Sequence, residues 1–153
     1  MVNLHCAVAF RAARQPDKTA LIYADEAISY SLFDQRIKKM AALIASRGIG
    51  DGDVVALFMK NSAAFLDITF AISYLGAVFL PINFRLAPDE ADYILKDSQA
   101  KLLFVDEEFT NITGVHPNTV IVDTPAQLNS GLLLKDDLVV PPPYARTPDQ
   151  LFR

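Results

Sequence analysis

The chain has 153 residues, with 14 Lys and Arg against 18 Asp and Glu, a formal net charge of −4 and a sequence pI near 5.0. This length holds one domain of ordinary size with a buried core, or a piece of something larger, and the acidic balance without a Lys/Arg cluster excludes an ordinary nucleic-acid module. With 52% hydrophobic and 21% charged residues the chain is neither disordered nor collagen-like, and its mean hydropathy of +0.23 points to apolar surface that belongs against further protein.

A first helix is predicted over Leu4 to Arg14, where Leu4, Val8 and Ala12 recur at helical spacing, and Pro16 stops it. Thr19–Tyr23 and Ala27–Tyr30 read as two short strands, with Asp25-Glu26 as the hairpin turn. A helix then opens with Ser31 as cap and Asp34 three residues on. Phe33, Ile37, Met40 and Ile44 make one apolar stripe, Lys38 and Lys39 face elsewhere, and Gly48 ends the helix. The glycine turn from Gly48 to Asp53 leads into a strand at Val54–Phe58.

Asn61 or Ser62 caps the next helix, up to about Leu75, and a strand follows at Ala77–Leu80. The stretch from Ser62 to Ile82 is long and apolar, but Asp67, Gly76 and Pro81 interrupt it. A buried helix followed by a buried strand is therefore predicted, and no membrane span. Pro88 at the first helical position, with Asp89 and Glu90 in the first turn, opens a helix to about Asp97. Strands are predicted at Lys101–Val105 and Thr119–Val122. The four later strands are continuously apolar and separated by crossovers, which predicts an α/β fold: a mostly parallel sheet flanked by helices, with an N-terminal β-hairpin. Residues 1–122 are expected to form this body, and 123–153, punctuated by Pro141-Pro142-Pro143 and Pro148, an extended segment. The apolar tail from Leu132 to Val140 predicts an exposed patch and self-association.

Few residues carry recognisable chemistry alone. The single Cys6 excludes an intramolecular disulfide and a Cys-rich zinc site, and it fits a reducing, cytoplasmic setting. The N-terminal residues Met1–His5 lack a basic region and a long apolar run, so no secretory leader is expected. The run Gly48–Gly52 follows a helix and opens a strand, the reverse of a phosphate cradle, and Asp51 and Asp53 would repel an anion. His5 and His116 are expected at a helix end or a surface loop. The acidic runs Asp89-Glu90, Asp106-Glu107-Glu108 and Asp136-Asp137 are expected to be solvated. No catalytic triad, metal motif or cofactor fingerprint stands out, so the catalytic and metal positions are none.

Several pieces in order nevertheless carry a resemblance. They are Gln15–Ala20, Ile28-Ser29-Tyr30-Ser31-Leu32-Phe33-Asp34, Gly50–Leu57, Tyr74-Leu75-Gly76-Ala77-Val78-Phe79-Leu80-Pro81-Ile82-Asn83, then Asn83-Phe84-Arg85-Leu86 and Pro88-Asp89-Glu90. Together they resemble the N-terminal portion of acyl-adenylate-forming enzymes of the AMP-binding superfamily, most of all an acyl-CoA synthetase or fatty-acid–CoA ligase. The second piece is similar to that family's "L-[TS]-Y-x-E-L" motif, with Phe33 and Asp34 giving a different order of apolar and acidic residue.

The resemblance implies a parent ligase that uses ATP, Mg²⁺ and CoA to form an acyl-AMP and then an acyl-CoA from a small carboxylic acid. It also implies that the phosphate-binding loop, the acyl pocket and the catalytic lysine lie beyond this sequence, in the rest of the parent chain. The chain alone is then an inactive fragment that binds no cofactor. In the CoA-ligase branch the residue matching Arg85 contacts a phosphate of the CoA nucleotide, which nominates Arg85 as the cofactor-binding residue here. The competing expectation for Arg85 is an ion pair with Asp89 or Glu90 at the helix start. Two other functional readings stay open: a stand-alone, non-catalytic binding protein with this fold, and an adenylation domain that does not use CoA.

Overall fold

The computed structural model describes residues 3–111, 116–122 and 138–145. Within it, β3 (Val54–Phe58), β4 (Val78–Pro81), β5 (Leu102–Asp106) and β6 (Thr119–Val122) lie side by side in the order β4-β3-β5-β6, every pair parallel. Their registers put Val55 beside Phe79 and Leu102, and Val105 beside Ile121. Continuous apolar runs suit this arrangement because both faces are covered. Val55, Leu57, Leu102 and Phe104 face α1 (Leu4–Arg14), α2 (Tyr30–Ser46) and α3 (Ala63–Leu75). The alternate residues Ala56, Phe58, Leu103 and Val105 pack with Ala91 and Leu95 of α4 (Pro88–Asp97). The predicted α/β sheet of parallel strands is the one found.

The hairpin pairs β1 (Thr19–Tyr23) antiparallel with β2 (Glu26–Ser29). Its turn is Ala24-Asp25, both with positive φ (49° and 64°), one residue earlier than the expected Asp25-Glu26, because Glu26 is paired with Tyr23. The helix that follows is capped by Ser29, whose Oγ accepts from Leu32 N at 3.2 Å, and not by Ser31. The reason is tertiary. Backbone hydrogen bonds from Tyr30 N to Lys18 O and from Ser31 N to Pro16 O hold the first turn against the preceding loop. Asp34 pairs with Lys38 one turn on instead of closing a capping box.

The apolar stripe of α2 is buried as expected: Phe33, Ile37, Met40 and Ile44 are all at most 2% exposed. Each such side chain contributes about 1.5–3 kcal/mol relative to exposure. In α1 the inward face is His5, Val8 and Ala12, while Leu4 is exposed, a one-position rotation from the expected stripe. None of the described helices is long and apolar enough to cross a membrane. The Ser62–Ile82 stretch is α3 followed by β4, with Ser62 capping through Phe65 N.

Asp67, in the middle of that stretch, is fully buried and answers to Arg36 of α2, itself only 6% exposed. Arg36 Nε donates to both carboxylate oxygens at 3.0–3.1 Å, and Nη2 donates to Oδ2. Burial pushes the Asp67 carboxyl up to about 6, against the downward pull of the arginine. A carboxyl whose native value lies above its unfolded value near 4 holds its proton more tightly in the native state. Its contribution to stability is therefore present below about pH 4 and is lost as pH rises through about 6. The expected result is an Asp67 side-chain carbon resonance that titrates with a midpoint near 6; a midpoint near 4 or below would show that the arginine outweighs burial.

The chain returns to the start of the sheet through Leu138–Ala145, which is neither helix nor strand. Leu138 packs on the larger core. Tyr144 N donates to Tyr74 O at 2.8 Å, and Tyr74 Oη donates to Pro141 O at 2.9 Å. The Tyr144 hydroxyl donates to Asp51 Oδ2 at 3.0 Å, and Asn3 Nδ2 donates to Tyr144 O at 2.6 Å. Val139 and Val140 of the expected apolar tail are exposed; residues 132–137 lie outside the described residues.

Candidate functional site

The connection through α3 carries the chain from β3 to β4 on one side. The connection through α4 carries it back past β3 to β5 on the other, and these two helices pack on opposite faces. The strand order thus reverses at β3, and the crevice at the carboxyl ends of β3 and β5 is where open α/β sheets bind ligands. The residues that follow those ends are Met59-Lys60-Asn61 after β3, Ile82-Asn83-Phe84-Arg85 after β4, and the single 3₁₀ turn Glu107–Phe109 after β5.

Backbone geometry builds this edge. Ile82 N donates to Leu57 O at 2.9 Å, extending the β3–β4 ladder, and the buried Ile82 side chain anchors the loop in the smaller core. Asn83 then makes a turn: its Oδ1 accepts from Arg85 N at 3.0 Å, and its carbonyl accepts from Leu86 N at 3.1 Å. The turn leaves Arg85 exposed at the carboxyl end of β4.

Arg85 does not take the competing ion pair. Among the described residues no salt bridge joins it to Asp89 or Glu90, and Glu90 Oε2 instead accepts from Ala87 N at 3.0 Å, closing the start of α4. The Arg85 guanidinium lies 5.5 Å from the centre of the Phe84 ring. Phe84 stacks on Phe109 (5.6 Å, 18°), and Phe109 meets the buried Phe58 edge-on (5.5 Å, 84°). Lys60 Nζ sits 5.4 Å from the Phe109 ring and pairs with Glu108 at 2.8 Å, a solvent-exposed pair of small energetic weight.

Asp106 corrects the expectation that its acidic run is solvated. It is 1% exposed; Oδ2 accepts from Lys60 N at 2.8 Å, and Oδ1 has no hydrogen-bond partner. Burial holds its carboxyl above the usual range, the Lys60 amide pulls the other way and Glu108 adds to the rise. This hydrogen bond ties the ends of β3 and β5 together, so the residue's first role is to shape the crevice. Asp89 and Glu90 are exposed as expected, and Asp136-Asp137 lie outside the described residues.

The other sequence candidates sit elsewhere. The glycine turn lies at the opposite, amino end of the strands, where Gly48 and Gly52 have φ near +80° (81° and 77°) and Asp53 Oδ2 accepts from Gly50 N. Lys101 and the Gly50 amide hold the Asp53 carboxyl below its ordinary value. This is a helix stop and a turn, as read from the sequence. His5, expected at an exposed helix end, is buried with its ring 4.7 Å from that of Tyr74, and burial lowers its pKa. His116 lies in a loop, its Nε2 2.8 Å from Ala100 O and its Nδ1 accepting from Asn118 N at 3.2 Å. Cys6 is half-buried with its sulfur 3.8 Å from His5 Nε2. Among the described residues no group of three or more His, Cys, Asp or Glu could hold a metal ion.

The fold is an open parallel α/β sheet with an exposed arginine, Arg85, after its edge strand β4. The sequence matches the model of the AMP-binding enzyme family over residues 8–151, and the chain belongs to that family. It is 38% identical over 95 residues to 4-hydroxybutyrate–CoA ligase 2 of Metallosphaera sedula, covering 62% of this chain and 17% of that protein. It is 30% identical over 140 residues to tyrocidine synthase 2 of Brevibacillus parabrevis, covering 92% of this chain and 4% of that one. In structure it is similar to the inhibitor-bound N-terminal domain of FACL13 from Mycobacterium tuberculosis, with a TM-score of 0.81, 26% identity, 96% of this chain and 38% of that chain covered. The chain thus spans less than a fifth of either curated relative, and its likeness is to the N-terminal portion of acyl-CoA synthetase-type adenylate-forming enzymes.

The aromatic platform under Arg85 was not anticipated from sequence. Its only sequence signal was an aromatic residue next to the nominated arginine, because Phe109 lies 25 positions away and reaches it only through the β3–β5 pairing.

Proposed function

We propose that the chain is the N-terminal part of an ATP-dependent carboxylate–CoA ligase, in which the complete enzyme converts a carboxylic acid to its acyl-AMP and then to an acyl-CoA. The observation that carries this reading is the family match over residues 8–151 together with an exposed Arg85, which makes no ion pair among the described residues, at the carboxyl edge of the sheet. A guanidinium suits a phosphate because its planar donors reach two oxygens at once. In this reading Arg85 binds a phosphate of CoA, residues 1–122 are the α/β subdomain, and residues 123–153 lead towards the segment that holds the ATP phosphates. The ligase works in the cytoplasm on a small carboxylic acid. Exposed Leu4, Phe10 and Ile22 supply apolar surface for the rest of the ligase or for a second copy.

Adenylation needs preorganised donors and Mg²⁺ around the α-phosphate. Among the described residues no group of three or more His, Cys, Asp or Glu could hold a metal ion, and one arginine cannot supply that field. The 153-residue chain alone is therefore expected to catalyse no ATP–pyrophosphate exchange with any of a panel of carboxylic acids, whereas the complete ligase does and also forms the CoA thioester. Protein-dependent exchange by the chain alone would contradict the reading. Adenylate formation without thioester formation by the complete protein would favour the second reading, an adenylation domain that does not use CoA, which the similarity to tyrocidine synthase 2 supports.

A further inference from the structure

We propose that Phe84 is a positioning residue for the anion site at Arg85, its ring holding the guanidinium in place at the carboxyl edge of the sheet while leaving the guanidinium's charge and donors available to a phosphate. This rests on the reading of Arg85 as a phosphate-binding group. The geometry forms one series from core to surface. Phe58 is fully buried, Phe109 meets it edge-on, Phe84 stacks on Phe109, and the Arg85 guanidinium lies 5.5 Å from the Phe84 ring centre.

The choice of partner matters chemically. A carboxylate beside Arg85 would occupy its fork of donors and offset its charge. An aromatic face attracts the cation through the ring quadrupole and does neither. Of the nearby acids, Glu90 closes the start of α4, Glu108 pairs with Lys60, and the exposed Asp89 makes no salt bridge to Arg85. The Asn83 turn fixes the Arg85 backbone, and the Phe84 ring restricts its side chain. An arginine confined before binding loses less rotamer freedom when the anion arrives.

The test uses the complete ligase, with the KM for CoA and carboxylate-dependent ATP–pyrophosphate exchange measured separately. Phe84→Leu should raise the KM for CoA by about two- to fivefold and leave the exchange unchanged. Phe84→Tyr, which keeps the ring, should preserve both. If Phe84→Leu leaves the KM for CoA unchanged while Arg85→Ala raises it, Phe84 has no positioning role and the Arg85 reading survives. Equal loss in Phe84→Leu and Phe84→Tyr, or an equal fall in the exchange, would show that the ring serves packing alone, and would also overturn the proposal. If Arg85→Ala leaves the KM for CoA unchanged, the Arg85 reading is wrong and this inference falls with it.

Discussion

Asp67→Ala is expected to destabilise the chain by about 3–5 kcal/mol, a large share of a domain's total stability of about 5–15 kcal/mol. The substitution deprives the buried Arg36 of the carboxylate that takes its Nε and Nη2 donors, and it does so between α2 and α3 in the larger core. The pair's net worth is a separate question, since burying both charges is itself costly. Replacing both at once, Arg36→Met with Asp67→Leu, is expected to be far milder than Asp67→Ala and close to neutral. Urea denaturation of the three proteins measures this. A loss below about 1 kcal/mol for Asp67→Ala would mean that Arg36 is adequately served without the carboxylate.

Gly76→Ala carries the second large effect, for two separable reasons. Gly76 ends α3 with φ +76°, a left-handed conformation that costs an L-residue about 1–2 kcal/mol. A Cβ there would also meet Tyr144 Cδ1 at 2.5 Å and Cγ at 2.6 Å, so the tyrosine ring must move. Moving it threatens the hydrogen bonds from Tyr144 to Tyr74 O and Asp51, at about 0.5–1.5 kcal/mol each. Gly48 separates the two reasons: its φ is +81°, but a Cβ there meets nothing within 4 Å. Gly48→Ala is therefore expected to lose only the backbone share, and Gly76→Ala clearly more. Combined with Tyr144→Ala, which vacates the space, Gly76→Ala should cost less than in the wild-type background. Equal losses at Gly48 and Gly76 would show that the Tyr144 segment does not hold its place against the helix end.

These two sites also mark the boundary of what the sequence reveals. Local signals sufficed wherever a residue's neighbours in the chain decide its structure. The stripe of Phe33, Ile37, Met40 and Ile44 placed α2, Pro88 opened α4, and four continuous apolar runs announced a sheet covered on both faces. They failed where a distant segment decides. Ser29 and not Ser31 caps α2 because Pro16 and Lys18 hold the incoming backbone. His5 is buried because Tyr74 covers it, and Asp106 because the sheet's end closes over it. Asp67 is an isolated acid in an apolar run until α2 brings Arg36 to it from 31 residues away. At the candidate site the family motif pointed to Arg85, and the chain itself gave no sign that Phe109 and Phe58 stand behind it. A resemblance transfers positions; the stacking under them depends on side chains the motif does not contain.

The most direct test of the account is Arg85→Ala in the complete ligase, with the two half-reactions measured separately. Losing a charge-assisted contact to phosphate costs about 1.5–3 kcal/mol, so the KM for CoA should rise by roughly tenfold or more. Carboxylate-dependent ATP–pyrophosphate exchange should stay nearly unchanged, because Arg85 acts only on the thiol substrate in this reading. A KM for CoA that does not move, or an equal fall in both half-reactions, would make Arg85 a structural residue and contradict the assignment of this edge of the sheet to CoA.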